Sequence, residues 1–235
     1  IKYKPSGNET GYYSAYTESI RGITGAGTAG ELLDRLIAHY KTLGSGVMAK
    51  YVAFKFDGEI TGVPHTDKTQ FDDIVGMEHQ KQVLIDNTRA FVNGEFANNV
   101  LLFGDRGTGK SSSVKALLNM FAPEGLRVIE LPKSAITLIP ELTKRLEDSP
   151  HKYILFLDDL TFERHDTEYR ALKIAMDGQI QAAAGNVLVY ATSNRRHLIR
   201  ETWADRDGGE VHVNDTKQET LSLAERFGIS LFFPA

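Results

Sequence analysis

The run Gly104-Asp105-Arg106-Gly107-Thr108-Gly109-Lys110-Ser111 constrains this chain more than any other feature. It satisfies G-x-x-x-x-G-K-[ST] in full and sits at a strand-to-helix junction. Before it, residues 98–103 read NNVLLF, the pattern of a buried strand. After it, Val114, Leu117, Leu118 and Phe121 recur at helical spacing along one face. A strand, a glycine-rich turn and a helix start, in that order, bring free backbone amides and the positive end of a helix dipole to one point, which is the chemistry of a phosphate site. With ATP or ADP as the ligand, Lys110 is expected to reach the β-phosphate and, in ATP, the γ-phosphate, and Ser111 to offer its hydroxyl to Mg2+, with Thr108 and Ser112 as further phosphate contacts. The plain alternative is a glycine-rich turn carrying a solvated lysine, and the strand and helix on either side argue against it.

From Phe71 onward, helix and strand signals alternate. Strands are expected over residues 100–103, 127–131, 153–158, 187–192 and 229–233, and helices over 77–92, 111–121, 140–147, 168–176 and 217–226. The strand runs are apolar throughout, as in a parallel sheet covered on both faces by helices, so the expected fold class is α/β, a three-layer αβα arrangement with five strands. Residues 1–68 read as a separate N-terminal segment and 69–235 as the core. The first thirty residues show no clear periodicity and read as irregular. Thr28 and Glu31 then have capping-box spacing, and Leu32, Leu33, Leu36, Ile37 and Tyr40 fall on one helical face that ends at Gly44. Residues 49–56 alternate like a strand, GVPHTDKTQ reads as a linker, and 205–215 as a surface loop.

Composition narrows the class. Over 235 residues, 41% are hydrophobic and 25% charged, the balance of an ordinary globular protein. The longest apolar run, Tyr153 to Leu157, is far below the roughly 20 residues of a membrane helix, so no membrane partner is expected. The absence of cysteine excludes disulfides and thiolate chemistry and fits the cytoplasm. A net charge of −4 gives no general pull toward a nucleic-acid backbone. The seven histidines form no H-x-x-x-H pair, so no metal is expected beyond nucleotide-bound Mg2+, and His197 reads as structural.

A phosphate loop needs a metal partner, and YILFLDDL supplies one in Asp158 and Asp159 at the end of a buried strand. Asp158 is the candidate Mg2+ ligand through water and Asp159 the candidate that orients the attacking water, with Glu163 as its competitor. Either acid could instead cap the segment that follows.

With these motifs in place, the chain resembles the AAA+ ATPases from about Phe71 to its end. FDDIVGMEHQKQVL resembles the family's opening helix and adenine-side box, which makes Phe71, Ile74, Val75 and Gly76 candidate base contacts; as an apolar run it is equally readable as core. NVLVYATSN resembles sensor 1, with Asn194 the candidate at the γ-phosphate or water. LSLAERFGISLFF resembles the box that carries an arginine finger, which implies Arg226 reaching a neighbouring subunit in a ring or filament, with Arg195 and Arg196 as competitors. An asparagine at a strand end is commonly a turn former, and Arg226 could pair with Glu225 or Glu219. Taken together, GDRGTGKSS, ILFLDDLTFE, YATSNRRHL and ERFG resemble a bacterial AAA+ family of unknown function and are similar to helicase loaders. The sheet order this implies is 5-1-4-3-2; in one departure from the family, the helical lid that carries its sensor 2 arginine is not expected within these residues.

The function implied is an ATPase coupling Mg-ATP hydrolysis to self-assembly and to remodelling or loading of a macromolecule. A DNA-associated loader and a nucleotide switch with little hydrolysis remain open beside it. A threading unfoldase lacks its aromatic-glycine pore loop in LPKSAITLIPEL, and a GTPase lacks Asn-Lys-x-Asp.

Overall fold

The computed structural model describes residues 11–162, 166–176, 185–194, 198, 223 and 226–235. Its centre is a sheet of seven strands among the described residues: β1 (Ala53–Phe56), β2 (Ile60–Gly62), β3 (Val100–Gly104), β4 (Leu126–Glu130), β5 (Lys152–Leu157), β6 (Val187–Ser193) and β7 (Ile229–Phe233). Their order is β2-β1-β4-β5-β6-β3-β7, parallel throughout except where β2 pairs antiparallel with β1. Counting from β3, the five central strands stand in the expected order 5-1-4-3-2.

The expectation of five strands was short by two. β1 was foreseen as a strand but not as a member of this sheet, where Phe54 aligns with Ile129 of β4. β2 is not among the expected strands, and its last residue, Gly62, is the first of the expected linker. That glycine is required by packing, since a Cβ there would lie 2.1 Å from the Tyr51 ring. The boundary expected between residues 68 and 69 therefore divides a chain whose sheet draws strands from both sides of it.

Strand alternation sorts the core into two layers. On one face, Val100 and Leu102 of β3, Ile154 and Phe156 of β5, and Leu188 and Tyr190 of β6 pack on α3 (Glu78–Val92) and α4 (Lys110–Phe121) through Leu84, Phe91, Val114, Leu117 and Phe121. On the other, Leu101, Ile129, Leu155 and Val189 meet Ile139, Leu142 and Leu146 of α5 (Ile139–Leu146) and Leu172 of α6 (Thr167–Ile174). A buried leucine or phenylalanine contributes about 2 kcal/mol, so these two layers fix which end of each strand faces which loop.

The N-terminal region corrects a second expectation. Residues expected to be irregular include α1 (Gly11–Thr24), which α2 (Ala29–Leu43) holds in place: Ser19 Oγ meets His39 Nδ1 at 2.9 Å, and Arg35 donates to the Gly22 carbonyl. Thr28 caps α2 as expected, accepting from the Glu31 amide at 3.2 Å. The apolar face read from its sequence is largely outside the core, however: Leu33 and Tyr40 are exposed and His39 and Leu43 are buried. The expected helix over 217–226 lies almost wholly outside the described residues, as do the loop 205–215, Glu163, Arg195, Arg196, His197, Glu219 and Glu225.

Candidate functional site

All the parallel strands deliver their carboxyl ends to one edge of the sheet, where β3 runs through Gly104 into the loop before α4. Gly104 has φ +137°, and a Cβ on it would sit 2.0 Å from the Phe233 carbonyl oxygen of β7, so no other residue fits. Gly109, at φ +91°, caps α4 in the left-handed region and packs against Ile74, whose Cγ2 would be 2.9 Å from an added Cβ. Lys110, the first residue of the helix, is buried at 7% exposure, and its Nζ donates to the carbonyls of Gly104, at 2.9 Å, and Asp105. Burial holds its pKa below the ordinary lysine value, while the carboxylates of Asp105, Asp159 and Asp158 pull it back up. Thr108 Oγ1 donates to the Asp105 carbonyl at 2.9 Å, Ser112 is half-buried in the first turn of α4, and Asp105, Arg106 and Gly107 are exposed at the tip of the loop.

Asp158 follows β5, two strands away from β3. Alternation puts it on the same face as Ile154 and Phe156, the face that α4 covers. There Ser111 Oγ donates to Asp158 Oδ1 at 2.6 Å. The strand between them, β6, ends in Thr192, whose Oγ1 donates to the same Asp158 oxygen at 2.6 Å and accepts the Asp159 amide proton at 2.8 Å. Asp159 has φ +50°, and its Oδ1 accepts from Asn194 Nδ2 at 2.5 Å while Oδ2 stands 3.7 Å from the Arg106 guanidinium. That last pair is exposed on both sides and adds little stability.

Direct contacts thus join Lys110 to Asp105, Ser111 to Asp158, and Arg106 and Asn194 to Asp159, with Thr192 bridging the two acids. The residues expected at the base behave in two ways. Phe71 and Ile74 are buried in the α3–α4 core cluster, with Ile74 against the loop, whereas Val75 is 94% exposed and Gly76, at φ +71°, turns the chain toward α3. Arg226 is half-buried just before β7, its amide donating to the Leu223 carbonyl at 3.1 Å. It lies at the amino end of the sheet, so within one chain it is not brought to the loop. Thr192 is the residue that sequence reasoning passed over in favour of Asn194. Its place is set by the register of β5 against β6, which pairs Tyr153 with Val187 and Leu157 with Ala191 and so brings Asp158 next to Thr192.

The donor set fits a magnesium-bound nucleotide. The loop combines a buried ammonium with three glycines, and the Ser111 hydroxyl can give a lone pair to a metal while donating its own proton in a hydrogen bond to Asp158. Among the described residues no group of three or more His, Asp or Glu side chains is arranged to hold a metal alone, so phosphate oxygens would have to complete its shell. Among the same residues no helix is long and apolar enough to cross a membrane.

A family model described as "Protein of unknown function (DUF815)" matches residues 48–235. The motifs pointed to a family of this kind. No curated protein matches the chain. Among solved structures, it is similar to the Thermotoga maritima RuvB Holliday junction branch migration motor, at 20% identity and TM-score 0.45 over 70% of this chain and 47% of that one. It is similar to C. elegans PCH-2, at 18% identity and TM-score 0.45 over 70% and 45%, and to the Aeropyrum pernix ORC1 protein in complex with DNA, at 19% and 0.43 over 67% and 44%. The chain spans about half the length of these proteins.

Proposed function

We propose that this chain, which belongs to the DUF815 family, is an AAA+ ATPase that binds Mg-ATP at the Gly104–Ser112 loop and hydrolyses it as part of a self-assembling machine acting on a macromolecule. One observation carries the reading: the first-turn serine of the loop helix and the strand-end aspartate of β5 meet at 2.6 Å, although 47 residues separate them in sequence. A turn that merely connects a strand to a helix has no need of that contact. A loop that must hold a phosphate-bound cation requires it.

In this reading the glycine-loop amides and Lys110 hold the β- and γ-phosphates, Thr108 and Ser112 supplement them, and Val75 and Gly76 lie beside the base. Ser111 and Asp158 would hold Mg2+, which when bound would supply positive charge to the phosphate oxygens. Asp159 orients the attacking water and Asn194 holds Asp159 in place. Arg226, remote from its own loop, serves the site of a neighbouring copy, which makes the active form a ring or filament. The cysteine-free composition supports a cytoplasmic setting. The target is a protein or a nucleic acid, and a DNA-loading role rests on the TSN and arginine pattern alone.

Steady-state ATP turnover against protein concentration tests this. Turnover per chain should rise with concentration and fall roughly 100-fold or more in Arg226→Ala, as removal of a charge-stabilising donor does. Mixing Arg226→Ala with Lys110→Ala should restore part of the activity. Turnover independent of concentration, with Arg226→Ala unaffected, would remove the shared site.

A further inference from the structure

Thr192 is 2% exposed, and its hydroxyl makes two contacts at the heart of the site. The chemistry of the partners fixes their direction. The Asp159 amide can only donate, so it takes a lone pair of Oγ1, and the hydroxyl proton goes to Asp158, which can only accept. Threonine is stiff at χ1 and Thr192 is buried, so the hydroxyl forms a strut between Asp158 and Asp159, which follow one another directly after β5.

The backbone gives a second, independent observation. Asp159 is held at φ +50°, a region unfavourable for a residue with a side chain. Three bonds clamp that turn to the end of β6: the Asp159 amide on Thr192 Oγ1, the Leu160 amide on the Thr192 carbonyl at 2.7 Å, and Ser193 Oγ on the Leu160 carbonyl at 2.8 Å. Of these, the Thr192 hydroxyl is the one that also touches Asp158. With Oδ1 of Asp158 receiving both Thr192 and Ser111, Oδ2 is the oxygen left to accept from a metal-bound water.

We infer that Thr192 is a positioning residue of this site: its hydroxyl sets the rotation of the Asp158 carboxylate toward the metal and pins the Asp159 backbone beside it. This rests on the Mg-ATP reading above and extends it to a residue on the strand between the loop and the acid. Thr192 does not touch nucleotide. It acts through Asp158 on capture of Mg2+ and through Asp159 on turnover, so removing its hydroxyl leaves phosphate binding by the loop intact while weakening the metal.

The test uses the full chain, Thr192→Val, Thr192→Ser and Thr88→Val. The last deletes another buried hydroxyl that bonds the same strand, at 2.9 Å from Tyr190 Oη, away from the acids. Binding of a fluorescent ATP analogue is measured in EDTA and against Mg2+, together with kcat, KM and melting temperature. Thr192→Val should bind the analogue in EDTA within about twofold of wild type, need roughly tenfold more Mg2+ for half-saturation, and lose kcat by about tenfold or more with KM little changed, the usual scale for losing a residue that orients a metal ligand. Thr192→Ser should recover both to within about threefold. Thr88→Val should lower the melting temperature without moving the Mg2+ requirement. An unchanged Mg2+ requirement and kcat in Thr192→Val, or equal shifts in Thr192→Val and Thr88→Val that track melting temperature, would overturn the inference and leave the ATP site standing. A wild-type chain that binds no ATP analogue with or without Mg2+ would overturn both.

Discussion

The two ends of the sheet differ in what their polar side chains hold. At the amino end, buried polar groups mainly close off backbone: Arg127 donates to the carbonyls of Leu126 at 2.8 Å and Ala122 at 3.2 Å, His151 Nε2 meets the Leu43 carbonyl at 2.9 Å, and Asn99 Oδ1 accepts the Val189 amide at 2.8 Å. At the carboxyl end, Lys110 and Ser193 also serve backbone carbonyls, but exposed carboxylates are gripped by side chains as well, Asp158 by Ser111 and Thr192, and Asp159 by Asn194. The first pattern satisfies groups that folding has desolvated, so its loss falls on stability. The second holds charge next to open solvent, so its loss falls on chemistry. Variants at the two ends should therefore separate melting from nucleotide binding.

The largest loss of stability is expected from Arg127→Ala. Its side chain is fully buried, and deletion leaves both a void and the carbonyls it served, at a cost of about 3 to 4 kcal/mol. Chemical denaturation should show this while affinity for Mg-ATP stays within about twofold. A variant as stable as wild type, or one that lost nucleotide in proportion, would break the division between the ends.

A smaller effect should come from pH at the same end. Burial, and then the adjacent Arg127 guanidinium, hold His151 down to about 4 against an ordinary value of 6.5. The folded chain thus resists a proton that the unfolded chain accepts. The stability this represents is fully present above about pH 6.5 and lost as pH falls toward 4, amounting to about 2 kcal/mol by pH 5. Stability measured from pH 7 to 5 should fall less steeply in His151→Gln. An identical slope in both proteins would place the titrating group elsewhere.

The contrast between the ends also explains what the sequence made legible. Five strands and the Gly104–Ser111 turn were readable because buried parallel strands are apolar runs and because Gly104 and Gly109 serve backbone conformations that other residues do not reach, whereas the strand order came only with the resemblance to the AAA+ ATPases. Asp158 was readable as an acid closing such a run. β2 escaped because its three residues carry no period, and it exists through pairing with β1. Helix α1 escaped because what orders it is α2, through His39 and Arg35. Leu33 and Tyr40 misled in the other direction, since helical periodicity reports that a face exists and not what lies against it. Thr192 was visible as a letter but not as a strut, because its role depends on the register of β5 against β6. Phe71 and Ile74, read both as base contacts and as core, are buried beside α3 and α4, and Ile74 also lies against Gly109 of the loop.

The account stands on Mg-ATP binding at the carboxyl end, and calorimetric titration of the wild-type chain and Lys110→Ala with ATP in Mg2+ addresses it directly. An ionic hydrogen bond to phosphate is worth about 1.5 to 3 kcal/mol, so Lys110→Ala should bind roughly 10- to 100-fold more weakly than a saturable wild type, with one site per chain. Equal affinity in the two proteins, or no heat from either, would contradict it.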